Sequence, residues 1–116
     1  EEDLYQFGYN LGIAFQITDD ILDYNLPEKQ SGKTEGNDFY EAKVTLPVLL
    51  GCQNPEFLSA CKQWFSKPSR NKNDFTEAQK LLSHHKILES CGHYAESFIQ
   101  KSFHHLLKMP PSVIRE

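Results

Sequence analysis

Apolar side chains return every three or four residues along the first part of the chain, at Leu4, Phe7, Leu11, Phe15 and Leu22, with Thr18 in the same register. That spacing predicts a helix from about Glu2 to Tyr24 that buries one stripe. Asn25-Leu26-Pro27-Glu28-Lys29-Gln30-Ser31-Gly32 is rich in turn formers, and Pro27 disfavours helix at the residue before it. A loop is therefore expected, running on through Gly36-Asn37-Asp38. Thr45-Leu46-Pro47 offers a hydroxyl N-cap with a first-turn proline, which predicts a short helix to about Cys52. Asn54-Pro55-Glu56 repeats the device and adds an acid favoured by the helix dipole, so a helix should run from Pro55 to about Phe65.

Ser66 to Lys72, containing Pro68, is expected to be a loop. Asn73 or Asp74 is expected to cap a helix reaching about His84. Ile87, Cys91, Tyr94, Ala95, Phe98, Ser102 and Leu106 mark a longer helix to about Lys108, ended by Pro110-Pro111. Gly92 weakens that helix by about 1 kcal/mol relative to alanine, so a kink or break would fall near Ser90. No segment alternates apolar and polar residues as a half-buried strand does, and no repeat is visible. The predicted fold class is all-α.

The first helix joins two characters. At about 100° per residue, Gln16, Asp19, Asp20 and Asp23 fall within roughly one third of its circumference, opposite Leu4, Phe7, Leu11, Phe15, Ile21 and Leu22. Three carboxylates repelling one another near a helix C-terminus, where the dipole also disfavours negative charge, call for compensation. A hard divalent cation supplies it: Mg²⁺ takes oxygen ligands and typically bridges one or two carboxylates to substrate phosphates. A lone D-D-x-x-D is more simply a solvated face, but Lys33 and Lys43 follow within about twenty residues and lysine offers a point charge to phosphate oxygens.

Charge and composition narrow the alternatives. The chain has 116 residues, 39% apolar and 12% aromatic, enough for one small core. A net charge of −4 with pI near 5.7 argues against a general nucleic-acid binder. Lys67, Arg70 and Lys72 form one basic stretch, read as a solvated loop. Cys52, Cys61 and Cys91 are odd in number and widely spaced, which suggests neither disulfides nor zinc and fits a reducing compartment. No apolar run approaches the roughly 20 residues of a membrane span. The first residues already lie in a helical pattern with no preceding methionine, so the chain is expected to be a fragment.

The run from Phe7 to Tyr24, FGYNLGIAFQITDDILDY, resembles the second aspartate-rich motif of trans-isoprenyl diphosphate synthases. Gly32 to Pro47, GKTEGNDFYEAKVTLP, is similar to the segment after it in the long-chain polyprenyl members. The resemblance implies the C-terminal portion of an isoprenoid synthase helical bundle, with 1–52 holding the motif helix, the lysine-bearing loop and the next helix, and 53–116 the peripheral helices. It implies Mg²⁺ held by Asp19, with Asp20 and Asp23 assisting directly or through water. Lys33 and Lys43 would contact an allylic diphosphate, and Phe15 and Gln16 would lie near isopentenyl diphosphate. The implied reaction ionises the allylic C–O bond, adds the isopentenyl double bond to the cation, and loses a proton.

The family's first aspartate-rich motif has no counterpart here, and Ala42 stands where glycine is common. The chain alone is therefore expected not to catalyse prenyl transfer, and its exposed helical faces are expected to drive association. A homodimer in the cytoplasm or an organelle matrix follows by resemblance. The alternative is a noncatalytic helical subunit or interaction module of a heteromeric prenyl synthase. A terpene cyclase of the same architecture is weaker, since Gly32-Lys33 and Lys43 to Pro47 argue against it. The pairs His84-His85 and His104-His105 are read as surface or edge histidines, because adjacent helical residues point about 100° apart. Trp64 and Phe65 are read as interhelical packing, and the three cysteines as small buried apolar residues.

Overall fold

The local signals in the sequence build six helices among the residues described, 2–25 and 36–111 of a computed structural model. They are α1 (Glu2–Asn25), α2 (Asn37–Tyr40), α3 (Leu46–Gly51), α4 (Pro55–Phe65), α5 (Lys72–His84) and α6 (Ile87–Leu107), and no strand occurs among the described residues. The fold is all-α. Asn54 caps α4, its side chain accepting from the amides of Glu56 and Phe57. Asn71, rather than Asn73 or Asp74, caps α5, where it forms a reciprocal capping box with Asp74. Thr45 precedes α3 in extended backbone, yet its buried hydroxyl caps nothing. α6 runs through Gly92 without a break.

Helix α2 departs from the expected loop. Gly36 sets it up by taking a left-handed φ of 82°, and a Cβ there would meet the Phe75 ring at 2.7 Å, so both backbone and packing require glycine. Turn formers on either side hide a helix this short from any periodicity argument. Most of the expected preceding loop, residues 26–35, lies outside the described residues.

α1 packs mainly on α6, and the two run antiparallel. His105 Nδ1 lies 2.9 Å from Asp3 Oδ1, and Ser102 Oγ donates to the carbonyls of Phe7 and Phe98. The same core continues to the C-terminal end of α1, where Phe39 of α2 touches the rings of Tyr24, Tyr40, Trp64, Phe65 and Phe75. Tyr24, Phe39, Trp64 and Phe75 are buried, and full burial of a large apolar side chain contributes about 2 kcal/mol. Trp64 Nε1 donates to Glu77, and Gln79 donates to the Tyr24 carbonyl, satisfying an orphan acceptor at the end of α1. The corner between α3 and α4 is tied to the turn between α5 and α6 by His85. Asn54 Oδ1 is occupied by its cap, so Nδ2 donates to His85 Nδ1 at 3.2 Å, and His85 Nε2 faces Glu56 at 2.7 Å.

The stripe expected to be buried on α1 is not the one that packs. Asn10, Ala14, Ile17, Asp20 and Tyr24 are buried, whereas Leu4, Phe15 and Leu22 are exposed and Phe7 and Leu11 half-buried. The large apolar residues line a face that no other described element covers. With principal extents of 53 × 32 × 23 Å and a radius of gyration of 17.2 Å, the chain is more extended than the roughly 13–14 Å typical of a closed domain of this length.

Candidate functional site

The acidic residues of α1 occupy different environments, and helical geometry is the reason. α6 covers one side of α1, so the residue at its edge, Asp20, is only 6% exposed. Asp19, one residue earlier, turns outward and is exposed. The expected single ridge of three outward carboxylates is therefore corrected to one exposed, one buried and one half-buried group. Gln16 Nε2 donates to Asp20 Oδ1 at 3.0 Å. Burial raises the Asp20 carboxyl above its ordinary range, and Asp38 and Asp19 add to this, against the Gln16 hydrogen bond and the Lys43 charge.

Asp23 builds part of the backbone. Its carbonyl accepts from Gly36 N at 2.9 Å, and its Oδ2 accepts from Asp38 N at 3.0 Å. It thus caps α2 from another helix, placing a negative group at a helix N-terminus. α2 then carries Asp38 against the acidic end of α1, and Lys43 N donates to the Asp38 carbonyl at 2.8 Å. Lys43 Nζ reaches within 4.0 Å of Asp38 Oδ1 while remaining exposed. Between them Ala42 holds a left-handed φ of 56°, a conformation that favours glycine.

Phe15 is 68% exposed and Gln16 is exposed beside it on the uncovered side of α1. Lys33 lies outside the described residues. Among the described residues, no three His, Cys, Asp or Glu side chains converge as a metal-ligand set. A cation here would take only one or two ligands from this chain, as Mg²⁺ does when substrate phosphates complete its shell. The donors, carboxylate oxygens with excess negative charge and a desolvated member, fit such a hard cation.

Residues 1–82 match the family model described as Polyprenyl synthetase. The chain belongs to the polyprenyl synthetase family. A prenyl transferase from Cyanophora paradoxa is 34% identical over 98% of this chain and 34% of its own length. Heptaprenyl diphosphate synthase component 2 from Bacillus subtilis is 34% identical over 92% of this chain and 30% of its own. Among solved structures, a polyprenyl synthase from Caulobacter crescentus CB15, complexed with calcium and isoprenyl diphosphate, superposes with a TM-score of 0.84. It is 32% identical, over 95% of this chain and 34% of that one. The chain thus spans about a third of the length of these relatives.

Two residues of this polyprenyl synthetase chain were missed by sequence reasoning. Asp38 lies inside the quoted motif, and an acid two residues after a glycine, in the first turn of a helix, is a legible signal. Arg70, expected in a solvated loop, instead donates to the carbonyls of Tyr40, Trp64 and Lys67. No local pattern announces those contacts. Trp64 is buried as read, and of the cysteines Cys61 and Cys91 are buried while Cys52 is half-buried.

Proposed function

We propose that this chain supplies one wall of the reaction site of a trans-polyprenyl diphosphate synthase, which condenses isopentenyl diphosphate with an allylic diphosphate and releases diphosphate. The observation that carries this reading is the uncovered face of α1, where exposed Phe15, Gln16 and Asp19 adjoin the carboxylates of Asp20, Asp23 and Asp38 beside Lys43. The chain takes the C-terminal part of the synthase domain, residues 1–52 forming the wall and 53–116 bracing it.

Asp19 would hold Mg²⁺, with Asp20 and Asp23 completing the local negative field. Magnesium, when bound, offsets the charge that grows on the departing diphosphate. Lys43 would place its ammonium group against the diphosphate oxygens, stabilising charge as the C–O bond lengthens, and the family resemblance gives the same role to Lys33, which lies outside the described residues. Gln16 orients Asp20 through its hydrogen bond and lies with Phe15 toward isopentenyl diphosphate. Phe15 and the neighbouring Leu11 present apolar surface that keeps water from the allylic cation. The remaining Mg²⁺ ligands belong to the rest of a complete synthase, so the chain alone does not turn over.

A second reading draws on two relatives named as component 2 of heptaprenyl diphosphate synthase: the site works in an assembly of unlike subunits, in place of the homodimer that the family resemblance suggests. No helix among the described residues is long and apolar enough to cross a membrane. The cytoplasm or an organelle matrix is the setting that the resemblance suggests, and one relative, from Arabidopsis thaliana, is named as chloroplastic. The test is a prenyl transfer assay in the complete synthase. Asp19→Ala and Lys43→Ala are each expected to lower kcat/KM for the allylic diphosphate by roughly a hundredfold, whereas exposed Lys62→Ala on α4 leaves it unchanged. Full turnover by both variants would overturn the reading.

A further inference from the structure

Arg70 lies between α4 and α5, and every nitrogen of its guanidinium is engaged by main-chain oxygen. Nε and Nη2 both donate to the Tyr40 carbonyl, at 3.3 and 3.1 Å, while Nη1 donates to the carbonyls of Trp64 at 3.1 Å and Lys67 at 3.0 Å. Its Cζ sits 5.7 Å above the Phe65 ring. Tyr40 is the last residue of α2, so its carbonyl has no helical partner of its own. A four-residue helix has too few internal bonds to hold itself. Asp23 fixes its N-terminal end through Asp38 N, and Arg70 fixes the other.

Beyond Tyr40 the chain turns toward the site. Ala42 is one of two non-glycine residues at positive φ among those described, and Lys43 comes next, its amide bonded to the Asp38 carbonyl at 2.8 Å. A left-handed alanine persists only where its surroundings over-determine it. The Arg70 fork grips the carbonyl two residues before that turn.

We propose that Arg70 is a positioning residue for prenyl transfer, which by holding the Tyr40 carbonyl fixes the turn through Ala42 and so the aim of the Lys43 ammonium at the allylic diphosphate. The inference rests on the reading of Lys43 as a diphosphate contact. Lysine cannot replace Arg70, because a single ammonium point does not reproduce the planar fork.

A double-mutant cycle in the complete synthase tests this, with kcat and KM measured for both substrates. Lys43→Ala, Arg70→Ala, Arg70→Lys and the combination of Lys43→Ala with each are compared with Asn71→Ala, which removes the α5 cap beside Arg70 without touching Tyr40. Arg70→Ala and Arg70→Lys are expected to lower kcat/KM for the allylic diphosphate by about tenfold to a hundredfold, the scale of a small misplacement of a catalytic group. KM for isopentenyl diphosphate should stay within about twofold, and neither substitution should add a further loss on top of Lys43→Ala. Asn71→Ala lowers the melting temperature and leaves both substrate constants in place. If Arg70→Ala does not fold, Arg70→Lys carries the test. Arg70 effects that multiply with Lys43→Ala, or that match those of Asn71→Ala, overturn the inference alone. A Lys43→Ala enzyme of full activity overturns the underlying reading as well.

Discussion

Asp19 and Asp23 belong to one sequence motif, yet the structure gives them different physical work, and amide exchange separates the two. Asp23 Oδ2 accepts from Asp38 N at 3.0 Å, at the second position of a helix whose own N-cap, Gly36, has no side chain to offer. Removing such an acceptor costs about 1 kcal/mol, which at 1.4 kcal/mol per decade is roughly a fivefold change in local opening. Hydrogen exchange at the Asp38 amide, followed by NMR, reads that opening directly. Asp23→Ala is expected to speed exchange about fivefold, while Asp23→Asn, which keeps an oxygen acceptor, loses less than half of that on the logarithmic scale. Asp19→Ala, changing an exposed side chain, should leave Asp38 within about twofold. Equal acceleration by Asp19→Ala and Asp23→Ala would refute the division of labour. So would unchanged exchange in Asp23→Ala.

Ala42→Gly removes the left-handed strain at φ 56° and is expected to raise stability by about 0.5–1 kcal/mol after the added entropy of the unfolded glycine is counted; a lower urea midpoint would contradict this. Burial, with the Cys52 thiol adding, pushes Cys61 up to about 12, and burial with Asp20 pushes Cys91 up to about 11. Unfolded thiols ionise near about 8.5, so the unfolded state loses these protons first. The stability that depends on neutral thiols is whole below about pH 8.5 and is lost as pH rises toward the two folded values. A urea midpoint that is flat across neutral pH and falls above about pH 9 is expected, and half-buried Cys52 should alkylate before either buried thiol. The uncovered apolar face of α1 should drive association of the isolated chain, reduced by Phe15→Asp; light scattering that shows a clean monomer of the unmutated chain at high concentration would count against it.

Legibility from sequence tracked the range of the signal. α4 spans Pro55 to Phe65 as read, because cap, first-turn proline and acid all sit within three residues. α5 begins one residue before the earliest expected cap, since two asparagines and an aspartate compete there and only three-dimensional geometry selects Asn71. α2 was invisible, its four residues being shorter than any helical repeat can reveal. The misjudged face of α1 has a different cause. Periodicity shows that a helix has an apolar stripe but not which neighbour covers it, and α1 carries apolar residues over most of its circumference, as a helix buried on two sides does. Small Ala14 and Ile17 pack on α6, leaving Phe15 and Leu22 outward. The chemistry was legible as residue types and spacing, whereas the burial of Asp20, the capping by Asp23 and the reach of Arg70 arise from contacts between distant segments.

The central claim is that the acidic end of α1, with its lysines, takes a metal-bound diphosphate. Calorimetric titration of inorganic pyrophosphate into the chain, with and without Mg²⁺, and with Asp19→Ala alongside, tests it most directly. Saturable heat that requires Mg²⁺ and is weakened by Asp19→Ala is the predicted result. Pyrophosphate binding that is indifferent to both the cation and Asp19, or no binding at all, would contradict the account.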